Sequence, residues 1–232
     1  MSGLKLAIPS KGRLQQDTIN WFATLGIDVR PAEGGREYAG RVDGIQDVEL
    51  VLLSAGEIPR ALATGQIHLG LTGRDLVHEK LPGWRDQVEP LATPGFGFAD
   101  LVLAVPQFWL DVSTIDDLDA AAAAFRARHG MRLRIATKYH HIVRSFLRDN
   151  DVADYQLVDS QGATEGTIRN LTAEAIADIT TSGATLVANH LKILTDGLIL
   201  KSEAVLYLSA VAHLSEQGRA ALQELRTRLK TA

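Results

Sequence analysis

The sequence predicts an α/β fold divided between two lobes. Apolar segments of strand length alternate with amphipathic helical segments almost throughout, so parallel sheets are expected. Two long runs, 96–105 and 178–200, carry the chain from one lobe to the other and back. They assign 1–97 plus 181–232 to lobe I, which is discontinuous, and 98–180 to lobe II. The length of 232 residues, with 46% hydrophobic and 22% charged side chains, suffices for a core in each.

The first strand is predicted at 4–9, Leu-Lys-Leu-Ala-Ile-Pro. Ser10-Lys11-Gly12-Arg13 follows and opens a helix carrying Ile19, Phe22, Ala23 and Leu25, which Gly26 ends. Two cations around a glycine between first strand and first helix sit where α/β proteins bind ligands. A solvated basic turn is the plainer reading of the same residues. Residues 33–44, with Arg36 and Arg41, read as a loop or hairpin. Then come a strand at 48–53, a helix at 58–63 ended by Gly65, and a strand at 67–72. Gly73-Arg74-Asp75 opens the next helix. Asp75 serves either as its cap or as a ligand contact. His68 is expected to be a satisfied core or edge histidine.

A proline-rich connection containing Trp84 holds one strand at 88–91. The helix at 114–128 places Ile115, Leu118, Ala122 and Phe125 on one face, with Ser113 or Thr114 as cap. A strand at 133–137 leads through Lys138 and Tyr139 into a helix with Ile142, Val143, Phe146 and Leu147. His140 and His141 are adjacent and point to different sides of it, so they are no metal pair. After a strand at 155–158 comes the loop Gly162-Ala163-Thr164-Glu165-Gly166. Glu165 is suited to a hydroxyl, to magnesium through water, or simply to a helix N-terminus. Strands at 193–200 and 204–209 and a helix at 214–229 close the chain.

One stretch organises the rest. Residues 175–179 are small and apolar, as in a buried strand, and 184–191 place Leu186, Val187, His190 and Leu191 on one helical face. Between them lies Thr180-Thr181-Ser182-Gly183-Ala184-Thr185. A strand that stops, a tight turn and a helix start leave several amides pointing one way. Gly183 lets the backbone approach a phosphate, and the hydroxyls donate to its oxygens. Asp178 repels phosphate but accepts from sugar hydroxyls beside it, so a sugar phosphate fits better than phosphate alone. Ordinary helix capping by Ser and Thr is the competing reading.

Net charge is −4, which gives no general pull toward nucleic acid or anionic membrane. There is no cysteine, hence no disulfide framework and no thiolate metal site. The chain has no signal-peptide pattern and no apolar run of membrane-spanning length, so a cytoplasmic protein is expected.

Four stretches in register resemble the ATP phosphoribosyltransferases. Ala-Ile-Pro-Ser-Lys-Gly-Arg-Leu at 7–14 is similar to their N-terminal signature, and Leu71-Thr72-Gly73-Arg74-Asp75 to their Ile-Thr-Gly-x-Asp turn. Ile135-Ala136-Thr137-Lys138-Tyr139 and 178–189 resemble their Ile-Ala-Thr-Lys-Tyr motif and phosphoribosyl-pyrophosphate loop. Glu165 precedes Asp178 by the family interval. The resemblance implies the short form, without a C-terminal regulatory domain, and the two-lobed fold of type II periplasmic binding proteins with the active site in the inter-lobe cleft. It also implies a histidyl-tRNA-synthetase-like regulatory subunit, with a homodimer inside the hetero-oligomer. Two departures stand out. Residues 53–59 lack an arginine that many members carry, so that contact would fall to Arg36 or Arg60. His190 stands where glycine is usual.

The implied reaction is attack of adenine N1 of ATP on C1 of phosphoribosyl pyrophosphate, releasing pyrophosphate and opening histidine biosynthesis. Glu165, Asp178, Thr180, Thr181, Ser182, Gly183, Ala184 and Thr185 are then the phosphoribosyl-pyrophosphate residues. Lys11, Gly12, Arg13, Arg36, Gly73, Asp75, Lys138 and Tyr139 serve ATP or pyrophosphate, Tyr139 being equally well a packed helix residue. No covalent nucleophile and no direct metal ligand is assigned. Mg2+ travels with the substrate, near Glu165 and Asp178. The alternatives are a small-anion solute-binding protein and a non-catalytic regulatory relative of the same fold.

Overall fold

The computed structural model describes residues 3–31, 39–160 and 164–231. Arg36, Gly162 and Ala163 lie outside the described residues. The chain forms two compact units, one running to Gly97 and resuming at Glu203, the other spanning Phe98–Ser202.

In the first unit the strands are β1 (Leu4–Pro9), β2 (Asp28–Pro31), β3 (Ala39–Asp43), β4 (Val48–Leu53), β5 (Leu69–Gly73), β6 (Val88–Ala92) and β12 (Ala204–Ser209). They form one sheet in the order β2-β3-β4-β1-β5-β12-β6. The helices are α1 (Arg13–Thr24), α2 (Ile58–Ala63), α3 (Arg74–Lys80) and α8 (Glu216–Thr231). Alternation along the strands fills both faces of the sheet. Leu4, Leu6 and Ile8 of β1 pack with Phe22 of α1 and Leu222 and Leu225 of α8. Ala7 faces the other way, with Ile58 and Leu62 of α2 and Val77 of α3. In β12, Leu206 and Tyr207 divide between the two faces in the same way.

In the second unit the strands are β7 (Ala99–Pro106), β8 (Leu133–Thr137), β9 (Tyr155–Asp159), β10 (Ala175–Thr180) and β11 (Leu191–Ser202), ordered β11-β7-β10-β8-β9. The helices are α4 (Ile115–His129), α5 (His140–Asp149), α6 (Gly166–Arg169) and α7 (Ala184–Ala188). Leu101 and Leu103 of β7 face Leu118 of α4 and Val143 and Leu147 of α5. Val102 and Ala104 face Leu186 of α7 on the opposite side. Thr114 caps α4 with a full capping box, its hydroxyl accepting from the Asp117 amide while the Asp117 carboxylate reaches back.

Four expectations change. The sheets are mixed rather than parallel: β4-β1-β5 and β10-β8-β9 run parallel, but β12 pairs antiparallel with β5, and β7 with β10. The chain returns to the first unit at Glu203, so 181–202 belong to the second; the reason is the long antiparallel pairing of β11 with β7. The helix expected over 184–191 stops at Ala188, because His190 adopts φ +57°, and Leu191 begins β11. Val187 and His190 are exposed rather than on a buried face. The expected hairpin is real, with β2 antiparallel to β3, but its first strand precedes the expected segment.

Candidate functional site

Each unit gathers its predicted residues at one edge of its sheet. In the first unit β4, β1 and β5 run parallel, so their carboxyl ends at Leu53, Pro9 and Gly73 share an edge. A helix follows each one. In the second, β10, β8 and β9 run parallel and end at Thr180, Thr137 and Asp159. The carboxyl edge of parallel strands is where α/β proteins bind ligands, since the following helix starts leave amides unpaired there.

The turn after β1 is exposed at Lys11, Gly12 and Arg13. Gly12 has φ +83°, a conformation that needs glycine, and a Cβ there would meet nothing within 4 Å. Arg13 is 91% exposed and pairs with Asp17 at 3.5 Å, an ion pair worth little. At the next tip the Thr72 hydroxyl, fully buried, donates to the Ala55 carbonyl at 2.8 Å and ties the two loops together. Gly73, not Asp75, is the N-cap of α3. Asp75 lies in the first turn, 7% exposed, and its carboxylate closes on Gly73, where a Cβ would come within 2.3 Å of Oδ1. A side chain at 73 would make the Asp75 carboxylate swing aside.

Arg74, unassigned at the sequence level, pairs with Glu203 at 2.6 Å with both side chains mostly covered. Burial pushes the Tyr207 phenol up to about 12, with Arg74 opposing the shift. Nothing in the sequence flags this pair, whose members are 129 positions apart. In the segment 53–59, the Ser54 amide and hydroxyl donate to Glu57 at 3.0 and 2.6 Å. Those bonds hold the Glu57 carboxyl below its ordinary range. Arg60 is exposed on α2 and lines a hollow of about 770 Å3 with Glu57 and Lys80.

The tip of β10 is a closed bend. The Gly183 amide donates to the Thr180 hydroxyl at 2.8 Å, and the Ala184 amide to the Ser182 hydroxyl at 3.4 Å. Gly183 has φ +73°, and a Cβ on it would find only Ile193, at 3.9 Å. Thr181, Ser182, Ala184 and Thr185 are exposed. Two expected donors, the Gly183 and Ala184 amides, are thus already used within the bend. The Asp178 carboxylate, half-buried, accepts from the Ile179 amide at 2.8 Å. Glu165 is half-buried and precedes α6. Beside it, Thr164 is fully buried and its hydroxyl meets that of Ser160 at 2.7 Å. Lys138 is exposed. Tyr139 is 6% exposed in the core with Val143 and Leu147, so the packed reading holds for its ring.

His68 is satisfied, as expected: Nδ1 accepts from the Lys5 amide at 2.9 Å and Nε2 lies 3.1 Å from the His213 carbonyl. Among the described residues no group of three or more His, Cys, Asp or Glu is gathered as for a metal ion. A hollow of about 780 Å3 beside Asp43 and Asp47 in the first unit contains none of the predicted site residues.

Residues 54–231 match the family model described as ATP phosphoribosyltransferase. A protein of that name from Cereibacter sphaeroides is 66% identical over 213 residues, covering 92% of this chain and 90% of the relative. The chain belongs to the ATP phosphoribosyltransferase family. Its activity is the transfer of the phosphoribosyl group from phosphoribosyl pyrophosphate to adenine N1 of ATP, the first step of histidine biosynthesis. A relative of the same name from Bradyrhizobium diazoefficiens is 48% identical over 92% of the chain, which spans 66% of that protein's length. Among solved structures, an ATP phosphoribosyl transferase (HisG:HisZ) complex from Thermotoga maritima aligns at TM-score 0.73 and 21% identity, covering 98% of this chain and 96% of that one. The periplasmic aliphatic sulphonate binding protein of Escherichia coli aligns at TM-score 0.56 and 14% identity, covering 100% of this chain and 72% of its own. The fold class is accordingly that of type II periplasmic binding proteins. No helix among the described residues is long and apolar enough to cross a membrane.

Proposed function

We propose that the bend at 180–185 grips the 5-phosphate of phosphoribosyl pyrophosphate. The observation that carries this reading is the Thr180–Gly183 hydrogen bond, which holds a glycine at φ +73° amid exposed Thr181, Ser182 and Thr185. Hydroxyls and backbone amides supply donors to phosphate, and no side chain at Gly183 blocks its approach. Asp178 and Glu165 accept from the ribose hydroxyls. Lys11 and Arg13, with the turn at Gly12, neutralise pyrophosphate or the ATP triphosphate, as would Arg36. Gly73 and Asp75 face the nucleotide, and Lys138 adds a cation. Tyr139 acts by packing.

The chemistry asks for alignment and charge neutralisation. The adenine N1 lone pair forms the bond to C1 while the C1–oxygen bond breaks, and its electron pair leaves with pyrophosphate. Positioning and fixed donors lower that barrier, and no covalent nucleophile is involved. Mg2+ carried by the substrate would lie near Asp178 and Glu165 and would supply further charge neutralisation. A histidyl-tRNA-synthetase-like regulatory subunit is the proposed partner, supported by the fold likeness to the Thermotoga complex. A homodimer within that assembly and a cytoplasmic location belong to the same proposal.

The test is Gly183→Val. Calorimetric binding of phosphoribosyl pyrophosphate should disappear; because φ +73° strains any side chain there even with open space around it, a native far-UV spectrum and Tm are required for the loss to count. Unchanged affinity refutes the loop assignment. Pyrophosphate release, assayed with and without the regulatory subunit, tests the partner.

A further inference from the structure

A second cationic feature lies at the opposite end of the second unit's sheet. Arg132 immediately precedes β8, Tyr155 begins β9, and Arg144 and Arg148 stand one turn apart on α5. All three arginines line one hollow of about 590 Å3, whose lining residues include one carboxylate, Asp151. Three positive charges against Asp151 and the Asp149 that pairs with Arg148 leave a local +1, in a chain whose net charge is −4. Arg148 is accounted for locally, by the negative end of α5 and by a 3.1 Å pair with Asp149. Both members of that pair are more than half exposed, so it exchanges easily. Arg132 and Arg144 have no such account. Neither makes an ion pair among the described residues, and Arg144 lies outside the last turn of α5.

We infer that this hollow binds a compact polyanion carrying two or more phosphoryl groups, at a site separate from the bend at 180–185. Helix positions four apart set their side chains about 5–6 Å apart at Cβ. Arg144 and Arg148 therefore meet neighbouring phosphoryl groups. The planar guanidinium fork takes two oxygens of one group, which favours phosphate over a single carboxylate. Arg132 closes the third side, from the sheet. The parallel strands β8 and β9 place the hollow at their amino ends, whereas the phosphoribosyl bend follows the carboxyl end of β10. Occupancy of one therefore leaves the other free.

The experiment titrates inorganic pyrophosphate into the full-length chain by calorimetry, beside Arg132→Gln/Arg144→Gln. The wild type should show two classes of site and the variant one, with the second class weakened at least tenfold and turnover unchanged. Superimposable isotherms overturn the inference. A citrate arm separates the ligand classes: citrate binding at the hollow as tightly as pyrophosphate overturns the phosphoryl assignment. Should the double variant misfold, Arg144→Gln alone, on an exposed helix face, gives the same reading.

Discussion

The Gly183 amide donates to the Thr180 hydroxyl across 2.8 Å, so the last residue of β10 holds the glycine in which the following helix begins. The bend is thus shaped before any ligand arrives, and the entropy of ordering it is lost on folding rather than on binding.

Thr180→Val removes that acceptor while keeping the branched shape. A hydrogen bond of this kind contributes about 1 kcal/mol, and its loss lets the bend open. The expected result is a rise of about fivefold in KM for phosphoribosyl pyrophosphate, by the usual conversion of free energy to affinity, with little change in KM for ATP. Steady-state kinetics with each substrate varied check this. An equal rise for both substrates would show general damage instead.

His190 occupies the left-handed region, at φ +57°, with its amide donating to the Val187 carbonyl at 3.0 Å. That conformation suits the glycine that the family resemblance leads one to expect there. Left-handed backbone costs a non-glycine residue about 1–2 kcal/mol, partly offset by the greater unfolded-state freedom of glycine. His190→Gly should therefore gain about 0.5 kcal/mol, or roughly 1–2 °C in Tm for a chain of this size. Calorimetry decides it, and a lowered Tm would contradict the backbone reading.

Asp117 accepts from the Ser113 and Thr114 amides, each at 2.9 Å, and these bonds hold its carboxyl below its ordinary value of 3.8. A carboxyl depressed on folding stabilises above its unfolded pKa, and that contribution fades as pH falls through the folded value. Asp117→Asn should lower the Tm at pH 7, with the difference narrowing as pH drops below 3.8. Melting curves from pH 7 to 3 test it; a difference constant with pH rules it out.

His78 stacks on Trp84 with ring centroids 4.9 Å apart, and its buried Nε2 has no hydrogen-bond partner among the described residues. Burial first, then the charges of Arg74 and Arg85, hold the imidazole below its ordinary 6.5, with Asp75 opposing. An imidazole kept neutral by folding stabilises above 6.5, and that stability is lost as pH falls from there toward the folded value. His78→Phe keeps the stack and removes the titration. The variant's Tm should fall less than the wild type's between pH 7 and pH 5. Parallel curves would dismiss the effect.

Much of this molecule was legible in the chain. Short-range patterns set the elements: alternation made β1 and β12 two-faced strands, and the apolar face with Ser113 or Thr114 as cap announced α4. Thr180 to Thr185 read as a bend because glycine and hydroxyls have few other uses between a strand and a helix. The expected length of α7 failed because apolar spacing at 186, 187 and 191 fits a helix and a strand equally, and only the pull of β7 on Leu191 decided it. The β2 strand was missed since four residues carry too little pattern.

By itself the sequence determined local conformation, the two-faced strands and the residues at the strand tips, because these depend on neighbours within a few positions. The tertiary structure alone decided that β12 runs antiparallel to β5, that 181–202 join the second unit, and that Arg74 meets Glu203. Such contacts join residues up to a hundred positions or more apart, and no local preference encodes the partner.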